Sequence, residues 1–289
     1  MAEGQKDLQE FRAEVSAWMK ANKPVATGFL LPQTFMEVGS EEQLDFLRKW
    51  QRKVYDAGYI GITWPEEYGG RGLPAVYQQI ADQEMARHRV PIMFNVIGLG
   101  WAGPLILKDG TDAEKQKYLK RILTGEDIWC QGFSEPDHGS DLGNAQTSAV
   151  REGDEYIING SKIWTTFGNY SKYMILLART NSETERKYDG LSFFLSPMDV
   201  PGITATPIKK ISGEYGFTET FFDNARIPVS CLMGEEGQGW RVAMQTLQFE
   251  RSAEGGQATQ YNSTRVTMDD LLLSLRNTHR DGQPLLEDP

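Results

Sequence analysis

At residue 128 the spacing of apolar residues changes from three-and-four to two, and no other feature limits the fold of this chain as strongly. Before that point the periods are helical. Leu8, Phe11, Val15 and Trp18 share one face and predict a helix over 6–20. Ser40-Glu-Glu-Gln43 reads as a capping box. The helix it opens runs through Leu44, Leu47 and Val54 and stops at Gly58. Pro74 suits the first position of a third helix over 74–88. Val90 to Leu107, interrupted by Gly98, Gly100 and Gly103, reads as buried helix. Thr111-Asp-Ala-Glu114 is a second capping box, with Tyr118, Leu119 and Ile122 inward and Gly125 as the stop.

Beyond it, strands are predicted over 128–133, 147–151, 155–158, 162–166, 173–180, 191–197, 203–210 and 218–223, separated by Gly, Asn, Asp and Pro. Helix resumes near Gly239 and continues through Leu247, Phe249, Glu250 and Arg251, then from Ala258 to Leu275. The end, Asp281 to Pro289, has loop composition. The expected class is therefore α+β and multidomain: an all-α domain over 1–126, a middle antiparallel β-barrel or sandwich over 127–236, and a further helical region over 237–289.

Charge and cysteine usage narrow the function classes. A net charge of −10 and a pI near 5.0 argue against a nucleic-acid surface, which needs clustered Lys and Arg. No apolar run approaches the roughly 20 residues of a membrane helix, and Met1 to Asp7 lacks the apolar core of a signal peptide. Cys130 and Cys231 form no CxxC pattern, which points to a reducing cytoplasm. His88, His138 and His279 lack metal-ligand spacing.

Two segments carry chemistry. Trp129-Cys-Gln-Gly-Phe-Ser-Glu-Pro-Asp-His-Gly-Ser-Asp141 reads as a strand entering a tight turn. Ser134, Ser140 and open backbone N–H groups there suit a polar, ring-shaped or phosphorylated ligand. Tyr156-Ile-Ile-Asn-Gly-Ser-Lys-Ile-Trp-Thr-Thr166 reads as a hairpin turning at Asn159-Gly160. Together they are expected to bring Trp164, Ser134 and Thr166 to one sheet surface. Glu135 and Asp141 could be taken for a carboxylate pair, but beside Pro136 and Gly139 they are expected to cap backbone N–H groups.

These segments resemble the flavin-binding core of the acyl-CoA dehydrogenase family, with its (Thr/Ser)-Glu-Pro-x-x-Gly-Ser-Asp and Asn-Gly-x-Lys-x-(Trp/Tyr)-(Ile/Thr)-(Thr/Ser) patterns. Trp64-Pro-Glu-Glu-Tyr-Gly-Gly70 and Gly234-Glu-Glu-Gly-Gln-Gly-Trp240 resemble two of that family's junctions. Asp137-His138 departs from the small residues usual before Gly-Ser-Asp. The resemblance implies FAD as cofactor, with Ser134 and Thr166 bonded to its ring, Trp164 against it, and Gln131 and Phe133 at its edge. It implies that Ser140 and Arg251 touch the CoA portion of the substrate. It implies that 237–289 begins a truncated C-terminal four-helix bundle. Glu250, directly before Arg251, stands where the isovaleryl-type members carry their base; in many other members the base lies in the bundle. The implied activity is α,β-dehydrogenation of an acyl-CoA, with electrons passed to an electron-transfer flavoprotein by a homo- or hetero-oligomeric dimer or tetramer. An acyl-CoA oxidase or nitroalkane-oxidising relative, and a non-catalytic partner subunit, remain competing readings.

Overall fold

The computed structural model describes residues 3–24, 27–29, 31–32, 34–251, 268–280 and 282–287. The first 124 residues are helical where regular: α1 (Glu3–Asn22), α2 (Glu41–Asp56), α3 (Ala75–His88), a π-helical turn (Gly98–Ala102) leading into α4 (Gly103–Asp109), and α5 (Asp112–Thr124). Both capping boxes have a structural counterpart. The Thr111 hydroxyl accepts from Glu114 N at 3.3 Å while the Glu114 carboxylate accepts from Thr111 N at 2.7 Å. At α2 the Ser40 hydroxyl accepts from Gln43 N at 3.2 Å, but Gln43 reaches back one residue further, to Gly39 N at 2.9 Å. The span 90–107 is not one helix, since residues 90–95 run irregularly before helix begins at 96.

The strands are β1 (Trp129–Gly132), β2 (Ser148–Glu152), β3 (Glu155–Thr166), β4 (Tyr173–Arg179), β5 (Leu191–Pro197), β6 (Ile203–Ile208) and β7 (Phe217–Pro228). Their order is β1-β4-β2-β3-β7-β6, with β5 paired to β4. A single pair, Ser148 with Arg179, joins β2 to β4. The sheet thus has two halves that fold over a shared apolar core of Cys130, Met174, Leu176, Phe194, Tyr156 and Ile227. The Tyr156 and Phe194 rings meet edge to face across it at 4.9 Å. The sandwich expectation holds, with one difference in strand direction. Most pairs are antiparallel, but β1 lies parallel to β4, as does β2 at its single pair with β4, because the intervening β2–β3 hairpin belongs to the other half.

The expected hairpin at Asn159-Gly160 is corrected. β3 runs unbroken for 12 residues, and the turn between β2 and β3 falls at Gly153-Asp154. Asn159-Gly160 instead marks a bulge, where the register against β7 shifts between Ile158 and Gly160. Gly160 has φ +137°, and a Cβ there would come within 2.8 Å of Thr147 Cα. The pair was chosen by the sheet for close approach and twist, not for chain reversal.

After the sheet, α6 (Gly239–Arg251) crosses the outer face of β4 and β5. Gly239 lets it lie close, since a Cβ would sit 2.4 Å from the Ser192 carbonyl carbon. Side chains of β4 alternate accordingly: Met174 and Leu176 enter the inner core, Ile175 and Leu177 the core shared with α6 and the helices. That second core joins the helical region to the sheet. Trp129 stacks on Tyr173 at 5.1 Å and meets Tyr118 edge-on at 5.2 Å. Asn95 locks the seam: its amide donates to the carbonyls of Ile122 and Asp127 at 3.2 and 2.9 Å, and its oxygen accepts from Trp129 N at 3.1 Å.

Of the predicted helix over 258–275, residues 258–267 lie outside the described residues. α7 (Met268–Asn277) covers the rest, with Asp270 paired to Arg89 at 3.0 Å. The end is less irregular than its composition implied, since β8 (His279–Arg280) pairs with β9 (Gln283–Pro284). No helix among the described residues is long and apolar enough to cross a membrane.

Candidate active site

The turn after β1 is held by a charge buried beneath it. Lys162 on β3 is fully buried, and its ammonium donates to Phe133 O at 3.0 Å and to the Glu135 carboxylate at 2.8 Å. Glu135 also accepts from the backbone N–H groups of Gln146 and Thr147 at 2.6 and 2.8 Å. Glu135 therefore caps backbone N–H groups as expected. Burial would push its carboxyl up, but Lys162 and the two N–H groups outweigh it and hold it below the usual carboxylate range. Burial draws the Lys162 ammonium down to about 8, against the pull of Glu135. Ile163 N donates to Ser134 O at 2.9 Å, which fastens the turn to β3. The place of Lys162 inside the Asn-Gly-x-Lys pattern does not by itself show this role. Strand parity alone would put Lys162 and Trp164 on one face; the irregularity between Lys162 and Thr165 separates them.

The Trp164 side chain is 57% exposed, its backbone is left-handed at φ +61°, and its ring meets Phe217 edge-on at 6.0 Å. The register against β7 shifts here a second time, between Lys162 and Thr165. Half-buried Thr166 pairs with Phe217, and Ser134 is half-buried in the adjoining turn. A bulky non-glycine residue in this conformation, with its indole uncovered, is a strained and apolar surface. It fits a flat, conjugated ring system with polar edges, for which the neighbouring hydroxyls supply hydrogen bonds. The residues present fit a flavin.

On the helical side of the sheet, Gln131 and Glu250 come together. Gln131 has the parity of Trp129 and Phe133 on β1 and so points toward α6, and Phe133 itself is buried against the Phe193 ring at 5.9 Å. The Glu250 carboxyl lies in the last turn of α6. Burial pushes its pKa up from the usual carboxylate range, while the Gln131 amide and the Arg251 guanidinium pull the other way. Gln131 Oε1 and Glu250 Oε2 are both buried with no hydrogen-bond partner among the described residues. Buried acceptors left open are costly unless a donor arrives. Arg251 and Ser140 are exposed and far less engaged, and neither side chain makes a hydrogen bond or ion pair with the described residues. Asp141 does not cap its turn through a buried contact; it is exposed and pairs with Lys187 at 2.5 Å.

A cavity of about 710 Å³ opens between α3, the 60–73 connector and α4, and Phe249 closes one wall. Its lining is mostly apolar, with Trp64, Leu99 and Leu107 among the side chains, and Asp82 stands in the α3 wall. Nothing in its sequence marks Asp82, since a carboxylate on a helix is ordinarily a solvated one. Burial raises its pKa to about 6, against the Gln78 amide that donates to it at 2.9 Å. A carboxyl with a raised pKa costs the fold nothing while both states are protonated and most once it is ionised. Asp82→Asn should thus raise stability at pH 8 by about 1–3 kcal/mol and lose that gain near pH 4. Thermal unfolding at the two pH values checks it, and an equal effect at both would contradict the burial of the charge.

The helical region and the sheet match two family models. Residues 6–126 match "Acyl-CoA dehydrogenase, N-terminal domain" and residues 130–225 match "Acyl-CoA dehydrogenase, middle domain". The chain belongs to the acyl-CoA dehydrogenase family. It is similar to the acyl-CoA dehydrogenase IpdE1 of Mycobacterium tuberculosis, 40% identical over 246 residues, covering 85% of this chain and 63% of that protein. Its likeness to IpdE1 of Mycolicibacterium smegmatis is 37% over 267 residues, covering 88% of this chain and 67% of the relative. Among solved structures, the Tcur3481-Tcur3483 steroid ACAD aligns with a TM-score of 0.74 at 33% identity, covering 94% of this chain and 68% of that one. The chain therefore spans about two thirds of the length of these relatives.

Proposed function

We propose that this chain is an FAD-dependent acyl-CoA dehydrogenase that converts an acyl-CoA to the trans-2-enoyl-CoA. The observation that carries the reading is the Glu250 carboxyl, desolvated and with one oxygen lacking a partner among the described residues, next in sequence to Phe249 of the cavity wall and facing Gln131 of β1, the strand that leads into the Ser134 turn. In this reading Glu250 takes the α-proton of the thioester, and its raised pKa suits a group that must hold that proton. Ser134 and Thr166 hydrogen-bond the rim of the ring, Trp164 covers one face, and Gln131 and Phe133 border its edge. FAD, when bound, supplies the acceptor for the hydride from the β-carbon. Ser140 and Arg251 serve the CoA portion, and both are exposed with no side-chain hydrogen bond to the other described residues. The domain limits proposed are 1–126, 127–236 and 237–289.

The proposed electron acceptor is an electron-transfer flavoprotein. A bulky acyl group is proposed from the size of the cavity and from the steroid description of the solved relative. Association with a second chain, like or unlike, is proposed because the name of that relative joins two components, Tcur3481 and Tcur3483, and because Leu271, Leu273 and Ile211 stand exposed. A cytoplasmic location is proposed from the two buried, free cysteines.

The protein is expected to bind FAD in preference to FMN or NAD, at one per chain. Identification of the cofactor released on denaturation tests this. A colourless protein with no flavin affinity removes the reading, and fewer than one FAD per chain favours the partner-subunit alternative. Reoxidation by O₂ as fast as by an electron-transfer flavoprotein would favour the oxidase alternative.

A further inference from the structure

The cavity that would receive the acyl group is not uniformly apolar. Asp82 projects from α3 into a cavity lined mostly by apolar side chains such as Trp64, Met85, Leu99 and Leu107, with Thr63, Gln79 and Lys108 as its other polar members beside Gln78. The carboxylate is fixed in place. Gln78, one turn earlier, donates to it at 2.9 Å and is itself held, accepting from Ile62 N at 3.0 Å and donating to Tyr59 O at 3.3 Å. Among the described residues Gln78 is the one hydrogen-bond donor to Asp82, and none of their cations forms an ion pair with it. One oxygen is thus satisfied by the protein while the acceptor capacity of the other is left over. A structural carboxylate in so apolar a wall is ordinarily paired. This one is oriented by a neighbour and otherwise offered to the cavity.

The cavity also has the volume, about 710 Å³, that suits a branched or ring-bearing group rather than a short acyl chain. Phe249 closes one wall and directly precedes Glu250, so the reacting end of a ligand belongs at α6 and its far end toward α3. We propose that Asp82, oriented by Gln78, is a specificity-determining residue that selects acyl-CoA substrates bearing a hydroxyl group on the bulky part of the acyl moiety, remote from the thioester. An ionised carboxylate only accepts hydrogen bonds, so it favours a hydroxyl over a ketone or a bare hydrocarbon at the same position. The inference rests on the acyl-CoA reading of the site and adds the chemistry of the distal end.

The test compares two CoA thioesters in the FAD-loaded protein by isothermal titration calorimetry: a decahydronaphthyl-propanoyl-CoA, and the same compound with a hydroxyl on the ring distal to the thioester. Hydrogen bonds to charged groups correspond to about a tenfold to hundredfold change in affinity, and the hydroxylated compound is expected to bind tighter by that factor. In Asp82→Leu the ratio should fall to about one. Asp82→Asn, which keeps the shape of the side chain and guards against a folding defect, should lower the ratio and admit the corresponding ketone. If the plain compound binds and the two affinities are equal, or if Asp82→Leu leaves the ratio intact, the inference is overturned while the acyl-CoA reading stands. If neither thioester binds, both fall together.

Discussion

Glu250→Gln is expected to slow bleaching of the bound flavin by acyl-CoA by about 10²–10⁴-fold, the usual cost of losing a general base. The amide keeps the shape of the side chain and the contact with Gln131, so FAD content and acyl-CoA affinity should change little. What it cannot do is take a proton. The two buried acceptors, Gln131 Oε1 and Glu250 Oε2, make the same point from the other side. A protonated Glu250 could donate to Gln131, which would ease the return of the carboxyl to its neutral form after the α-proton has moved. Stopped-flow bleaching of the wild-type and variant proteins under anaerobic conditions is the measurement. Equal rates would place the base elsewhere and leave Glu250 as a half-buried helix residue.

Lys162→Met should be the most damaging single change to the site's framework. It deletes the ammonium and leaves the Glu135 carboxylate buried with only the Gln146 and Thr147 N–H groups to offset its desolvation. Removing one partner of a buried pair costs about 3–5 kcal/mol. Phe133 O loses its donor as well, so the turn that presents Ser134 loosens and flavin retention should fall with stability. Replacing both partners is expected to recover part of the loss, because Lys162→Met with Glu135→Gln leaves no unpaired charge. Urea denaturation of the single and double variants, with flavin content measured alongside, decides the matter. A single variant as stable as the wild type would mean that the pair contributes nothing to holding the turn.

Most of the architecture was legible because local rules and tertiary structure agree through most of the chain. The caps at Ser40 and Thr111, the change of period at 128 and the alternation along β4 each express a rule that the folded protein obeys. Where they disagree, the cause is visible. Asn159-Gly160 has the composition of a two-residue turn, yet β7 pairs with β3 on both sides of it, and long-range pairing overrode the local preference. The parallel direction of β1 depends on which half of the sheet the β2–β3 hairpin joins, and no local signal encodes that. The site was legible in its motifs but not in its depth. Trp164 lies on the sheet surface as its motif implies, but the inward turn of Lys162 and the left-handed backbone at Trp164 go with the register shift between Lys162 and Thr165, which spacing alone does not show. Asp82 and the cavity it faces arise from helices and a connector that only the tertiary fold brings together.

The Asn95 contact bears on how such a chain can be divided and recombined. One side-chain amide bridges the end of α5, the linker at Asp127 and the first residue of β1, the strand that carries Gln131 toward Glu250. A border drawn between 126 and 127 is thus a border in sequence but not in mechanics. Grafting a relative's helical half onto this sheet would sever the joint at its fixed end unless the graft brought its own asparagine. The strand would then be free to slide against the helices, and with it the spacing between the proposed base and the ring. Parts exchanged among such proteins should be cut away from this joint, with residues 95 to 129 inherited as one piece.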